Sequence, residues 1–179
     1  MPAGVPVWDP LLRLLHWSLG LLVVAAWYTR HGFGALHEWL GYAALATLAV
    51  RLAWGFFGPR HARFTDFVRS PAHTRAYLRD SLAGTANRHL GHNPLGGWMS
   101  MALWLAVLLV CASGWLYTTD RFWGLEWVEN LHDRLTWALI GLVSLHLLGV
   151  AWSSWRHREN LVASMLHGRK RPASGDDVR

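Results

Sequence analysis

The chain has 179 residues, of which 53% are hydrophobic and 13 are tryptophan, and its formal net charge is +6. This apolar content is high for a soluble domain, and the length is that of one domain. The single cysteine, Cys111, excludes an intramolecular disulfide and a cysteine-ligated iron–sulfur cluster.

Four apolar stretches are each long enough to cross a membrane, which takes about 20 mostly apolar residues. We predict membrane spans over residues 10–28, 36–57, 95–117 and 131–152. None of them alternates with the period of a barrel strand, so the predicted fold is an all-α integral membrane protein, a four-helix bundle. Between the second and third spans we predict a short surface helix over 72–82, with Ser70 as its cap and Pro71 in its first turn.

Charge is distributed unevenly between the connections. Segment 58–93 carries a net charge of +4, and the C-terminal region contains the run Arg169-Lys170-Arg171. The connection between the third and fourth spans instead contains Asp120, Glu126 and Glu129. The positive-inside rule therefore predicts a multi-pass membrane protein with both termini and segment 58–93 in the cytoplasm. Because topology explains the basic charge, we expect no nucleic-acid partner.

The domain is predicted to cover residues 1–171. The polar residues 172–179 that follow are expected to form a disordered tail.

Four histidines lie within the spans or at their ends, namely His16, His37, His132 and His146. An ionisable side chain in a membrane span is costly and is a functional candidate for that reason. His132 and His146 are separated by about 21 Å along a helix and by about 40° around it, so they share one face. The span directions pair His16 with His146 at the inner depth and His37 with His132 at the outer depth.

Two histidine pairs at two depths predict two haems, each held by two axial histidines. A zinc or copper site would instead gather three or four ligands at one depth. The chain has no Cys-x-x-Cys-His motif, so these haems are expected to be non-covalent haem b. Ligation by two histidines leaves no open position on the iron for oxygen.

Glycines follow two of the ligands at helical spacing. Gly20 and Gly41 each come four residues after a histidine, one turn along the same face. A glycine at that position leaves room for a flat macrocycle against the helix backbone, and Gly114 in the third span could serve the outer haem in the same way. The alternative is ordinary close packing of helices through small residues.

Two arginines are predicted at the depth of the inner haem. Arg13 precedes His16 by one turn, and Arg51 follows His37 by fourteen residues. Either guanidinium could pair with a haem propionate, or its side chain could extend to the membrane surface.

Several of these residues belong to motifs that resemble a known family. The motifs are Arg13-Leu-Leu-His16-Trp17, His37-x-x-x-Gly41, Gly91-His92-Asn93-Pro94-x-Gly96-Gly97 and His132-x13-His146. Together they resemble the bacterial cytochrome b-561 family, which includes the cytochrome b subunits of nickel–iron hydrogenases, over about residues 7–171. The resemblance implies a di-haem cytochrome that exchanges electrons with membrane quinone. It also implies a redox partner: a periplasmic c-type cytochrome, another redox protein or a hydrogenase.

The leading functional hypothesis is an electron-transfer protein without catalytic residues of its own, because the cofactor carries the chemistry. A superoxide:ubiquinone oxidoreductase of the same fold is an alternative, so whether the protein is an enzyme stays open. A histidine-lined proton or metal transporter is a further alternative. A visible spectrum separates it from the first two, since it would lack a reducible b-type haem band.

Overall fold

The computed structural model describes residues 4–32, 34–175 and 177–178. The main helices in chain order are α1 (Pro10–Thr29), α2 (Gly34–Phe57), α3 (Phe64–Phe67), α4 (Pro71–Leu82), α5 (Pro94–Tyr117), α6 (Glu126–His157) and α7 (Leu161–His167). A 3-10 turn, Arg60–Ala62, precedes α3. Two short strands, β1 (Val5–Pro6) and β2 (Arg169–Lys170), pair antiparallel with Val5 opposite Lys170.

Helices α1, α2, α5 and α6 are each long and apolar enough to cross a membrane. The predicted all-α class with four candidate spans is therefore confirmed. The largest difference is in α6, which has 32 residues and extends beyond the predicted span at both ends. Glutamates 126 and 129 lie in its first turn and Arg156 and His157 in its last. The carboxylates at the start of α6 and the Arg156 guanidinium at its end have the signs that stabilise a helix dipole.

The predicted surface helix is also confirmed, as α4. Ser70 is its cap, and the Ser70 hydroxyl accepts a hydrogen bond from the His73 backbone N–H at 3.3 Å. Pro71 opens the helix, where a missing N–H costs nothing.

The chain divides into two compact units. The first, the helix-core unit, comprises Leu14–Ala53 and Ala102–Ser144. Its buried centre is formed by Leu48, Ala106, Val107 and Leu139, and Leu19 and Val23 pack against it. Segments of α1, α2, α5 and α6 therefore share one apolar core.

The second, the terminal unit, comprises Met1–Arg13, Trp54–Met101 and Leu145–Arg179. Trp8 lies in its core with Val7, Leu12 and Ala62. The backbone N–H groups of Val7 and Trp8 both donate to the Gly168 carbonyl, at 2.9 and 3.0 Å. Gly168 ends α7 in the left-handed conformation, with φ 81°, and a Cβ there would lie 2.7 Å from the Trp8 carbonyl oxygen. Glycine satisfies both constraints at this junction.

Lys170 is buried in the terminal unit. Its ammonium group lies 5.1 Å from the centre of the Trp8 ring and donates to the His89 carbonyl at 3.4 Å. Burial lowers the pKa of Lys170 to about 8, while nearby Glu159 partly opposes the shift.

A buried arginine holds the C-terminal residues. Arg88 is 5% exposed and makes ion pairs of 2.6 Å with both Glu159 and Asp177. The backbone of Val178 bonds to Arg88 and Leu90. A buried guanidinium requires carboxylate partners, and Asp177 of the C-terminal segment is one of them. The disorder expected of residues 172–179 remains a prediction from the sequence. Residues 176 and 179 of that segment lie outside the described residues.

Candidate functional site

The structure brings together the predicted outer pair, His37 and His132, within the helix-core unit. His37 lies near the start of α2 and His132 near the start of α6. Their ring centroids are 6.1 Å apart with an interplanar angle of 86°, and both residues are half-buried.

Hydrogen bonds fix which nitrogen of each ring carries the proton. His37 Nδ1 lies 3.0 Å from the Ala26 carbonyl oxygen, which can only accept, so Nδ1 donates. The Ser113 hydroxyl donates to the Val110 carbonyl at 2.9 Å. It therefore accepts from His132 Nδ1 at 3.0 Å.

Each Nδ1 thus carries a hydrogen, which leaves Nε2 of each ring as the nitrogen that could bind a metal. This is the usual state of a histidine that binds a metal, since the second ring nitrogen bonds to an oxygen that sets the tautomer and the ring orientation.

The separation of the rings fits one iron between them. An imidazole nitrogen binds a transition metal at roughly 2 Å, so two imidazoles on opposite sides of one ion have ring centres about 6 Å apart. Among the described residues, no group of three or more His, Cys, Asp or Glu side chains could hold a metal ion. A haem iron needs only axial ligands from the protein, so a pair of histidines suits it.

The predicted glycines fall into two groups. At Gly20 and Gly41, nothing lies within 4 Å of the position a Cβ would occupy. At Gly114, that position is 3.1 Å from His132 Cε1. Gly114 therefore lies against the imidazole ring of His132, and its contact with a macrocycle remains a prediction from the sequence.

The residues of the predicted inner pair lie in different units. His16, on α1, is exposed in the helix-core unit, and its ring centroid is 5.5 Å from that of Trp17. His146, on α6, is half-buried in the terminal unit. Their pairing remains a prediction from the sequence.

Both predicted arginines contact protein groups. The Arg51 guanidinium is buried over the Trp104 ring, 4.5 Å from its centroid, in a cation–π contact. Arg13 donates to the Leu166 carbonyl. Its buried Nε has no hydrogen-bond partner among the described residues.

Sequence reasoning missed three contributors to this site. Ser113 carried a usable signal, because a hydroxyl in an apolar span commonly bonds to a neighbouring helix. Trp104 carried no signal of its own, because the chain has 13 tryptophans and no pattern sets this one apart. Ala26 contributes only its carbonyl oxygen, for which a side-chain pattern gives no signal.

Four membrane-length helices with a shared core, two of which bring their histidines together as Nδ1–H tautomers, define a membrane helix bundle suited to holding haem. The family model described as prokaryotic cytochrome b561 matches residues 7–168, and the chain belongs to this family. Membership implies a bacterial membrane b-type cytochrome that functions in electron transfer and binds b-type haem. No curated protein and no solved structure matches the chain.

Proposed function

We propose that this protein is a di-haem b-type cytochrome of the bacterial inner membrane. In this proposal it carries electrons across the membrane between the quinone pool and a periplasmic or membrane redox partner. The observation that carries the proposal is the His37–His132 pair, in which oxygen atoms hold both Nδ1 hydrogens. When bound, haem supplies one-electron chemistry at its iron.

The proposed ligands form two pairs, His37 with His132 and His16 with His146. Support for the second pair comes from the fourteen-residue spacing on α6, which places His146 about 21 Å from His132 along the helix. The open space beside Gly20 and Gly41 supports macrocycles lying against α1 and α2.

The arginines are proposed to hold propionates at the inner depth. The buried Nε of Arg13 has no hydrogen-bond partner among the described residues, which favours an anion there. Arg51 would add a buried positive charge whose orientation is set by Trp104.

The chain's own contribution is positioning and electrostatics. Hydrogen bonds orient the His37 and His132 imidazoles, and the helix-core unit that holds them has an apolar centre. No side chain needs to give or take a proton for an electron to pass.

The acidic connection suggests the kind of partner. Asp120, Glu126 and Glu129 are exposed, and the proposed orientation, with both termini in the cytoplasm, places them outside. Their charge favours a basic protein, such as a periplasmic c-type cytochrome, and slows the approach of anionic superoxide.

Spectroscopy and rapid mixing test this proposal on the full-length protein in detergent. We expect a reducible b-type spectrum with two haems per chain, fast reduction by ubiquinol, and oxidation by an added c-type cytochrome. The Cys111→Ser variant is the control, since it should leave all three results unchanged.

Three results would contradict the proposal. Without a reducible b-type band, both redox functions fail and the transporter becomes the better hypothesis. If superoxide reduces the protein faster than quinol does, the superoxide:ubiquinone oxidoreductase is favoured. If only one haem binds, the His16–His146 pair is wrong.

A further inference from the structure

An open cavity of about 330 Å³ lies in the terminal unit at the C-terminal end of α6. Its basic lining is formed by Arg88, Arg156, His157, Arg158 and Arg171. Among the described residues, Asp177 supplies the one carboxylate of the lining. Arg88 is neutralised by Asp177 and Glu159, so the surplus positive charge comes from the other three arginines.

These three guanidinium groups keep hydrogen-bond donors available. Arg156 donates to the Gly84 carbonyl, and Arg171 donates to the His157 carbonyl at 3.3 Å. Within the part of the chain that the structure describes, the Arg158 side chain makes no hydrogen bond or ion pair. Since each guanidinium has five N–H donors, the cavity can bind an anion through several of them.

The backbone of Arg158 is strained. Its φ is 49°, in the left-handed region that residues with a side chain rarely adopt. Strain of this kind persists where surrounding structure enforces it and is concentrated at binding sites.

A second groove of about 490 Å³ shares Arg158 with the basic cavity. Its apolar lining comes from Leu147, Val150 and Ala151 of α6 and from Val162 of α7. The first three belong to the helix that is apolar enough to span the membrane. An apolar groove on a membrane helix that meets a cluster of arginines is complementary to one acyl chain and one phosphate.

We infer that these two cavities form a binding site for an anionic phospholipid. The arginines would hold its phosphate, and an acyl chain would lie along α6. Basic pockets beside the ends of membrane helices are suited to acidic headgroups. A zwitterionic lipid carries its own cation, which would oppose the surplus positive charge of the cavity.

Binding to the full-length protein in detergent tests this inference. Phosphatidylglycerol in mixed micelles is the probe, and it is compared with phosphatidylcholine of the same chains and with inorganic phosphate. Of the three probes, we expect only phosphatidylglycerol to raise the unfolding temperature and to remain bound in native mass spectrometry. Arg158→Gln and Arg171→Gln should each weaken its binding about fivefold.

Two further variants test separately whether binding depends on the position of the positive charge and on the open space of the apolar groove. Arg75→Gln removes an exposed basic residue of α4 outside the cavity and should leave binding unchanged. Ala151→Trp fills the apolar groove and leaves every arginine of the basic cavity in place. It should therefore weaken phosphatidylglycerol binding with no change in charge.

The inference is overturned if neither cavity arginine variant changes the affinity, or if Arg75→Gln weakens binding equally. Equal stabilisation by phosphatidylcholine would also overturn it. Equal stabilisation by inorganic phosphate would replace the lipid with a simple anion. If Arg158→Gln fails to fold by circular dichroism, Arg171→Gln and Ala151→Trp decide the question.

Discussion

The properties of His132 depend on the hydroxyl group of Ser113. That hydroxyl donates a hydrogen bond to the Val110 carbonyl and accepts one from His132 Nδ1. Such an outer contact makes the imidazole a stronger electron donor to a bound metal, which stabilises the oxidised state of an iron.

Ser113→Ala should therefore raise the midpoint potential of one haem. A weakening of the oxidised state by three- to tenfold corresponds to roughly 30–60 mV, because a tenfold change is 59 mV for one electron. Potentiometric titration measures this shift. The control is Ser144→Ala, which removes a hydroxyl that bonds only within α6, to Ile140. Equal potentials in the Ser113→Ala variant and the unmodified protein would show that the hydroxyl does not tune the ligand.

Replacing the four histidines singly tests the pairing itself. His37→Ala and His132→Ala should lose the same haem, and His16→Ala and His146→Ala should lose the other. Haem-to-protein ratios combined with redox titration identify the remaining centre. His73→Ala, on the surface helix α4, is the control. If His16→Ala and His37→Ala lose the same haem, the proposed pairs are wrong.

At the scale of single residues, the sequence was a good guide to side chains that are unusual for their surroundings. It identified His37 and His132 because histidines are costly in a membrane helix, and the structure places their rings together. It could not identify the Ala26 carbonyl or the contact between Gly114 and the His132 ring, since both depend on the packing of distant segments.

Among the helices, α2 offers a direct test of the glycine pattern. Gly41→Leu should reduce haem incorporation, because the new side chain would enter the open space where the macrocycle is proposed to lie. Haem content per purified chain is the measurement.

The matched control for Gly41→Leu is Gly141→Leu on α6. Nothing lies within 4 Å of a Cβ at Gly141 either, and this glycine does not follow a candidate ligand by one turn. Gly32 is unsuitable because its φ of 82° would strain any side chain. Equal haem content in the two leucine variants would make the spacing after His37 a coincidence.

The strand pair at the chain ends predicts an unusual dependence on pH. Lys170, in β2, has a pKa of about 8, while an exposed lysine has 10.5. Between these values the unfolded chain binds more protons than the folded one, so the free energy of unfolding rises with pH, by up to roughly 3 kcal/mol.

Thermal unfolding between pH 7.5 and 10 measures this rise, and Lys170→Met should abolish it. Lys170 is the one lysine in the sequence, so NMR of protein labelled in its lysine side chain follows this titration alone. A titration midpoint near 10.5 would contradict the prediction.

At the scale of helices and strands, composition predicted where the long helices lie better than it predicted where they begin and end. The apolar runs predicted all four long helices, and Ser70-Pro71 predicted the start of α4. The extra turns of α6 were missed because they are charged and extend past the apolar stretch. The β1–β2 pair joins residues from opposite ends of the chain, which no local pattern encodes.

For the whole molecule, the proposed orientation is testable by labelling. In a Cys111→Ser background, Arg75→Cys and Asp120→Cys place single thiols on opposite sides of the proposed membrane. A membrane-impermeant maleimide should label Asp120→Cys in spheroplasts and Arg75→Cys in inverted vesicles, because basic connections remain in the cytoplasm. The reverse pattern would invert the topology. Labelling after detergent treatment is the control for accessibility of both thiols.

The carbonyl that orients His37 belongs to the end of a helix. Ala26 is among the last four residues of α1, at the C-terminal end of the helix, and its carbonyl also accepts a hydrogen bond from the Thr29 hydroxyl at 3.2 Å. The negative pole of the α1 dipole therefore lies against the imidazole, where it favours added positive charge by about 0.3–1 kcal/mol. In the proposed cytochrome, the end of α1 contributes a constant negative electrostatic potential at the centre held by His37. This potential would stabilise the oxidised iron, so the centre would give up its electron more readily than it would without the helix end.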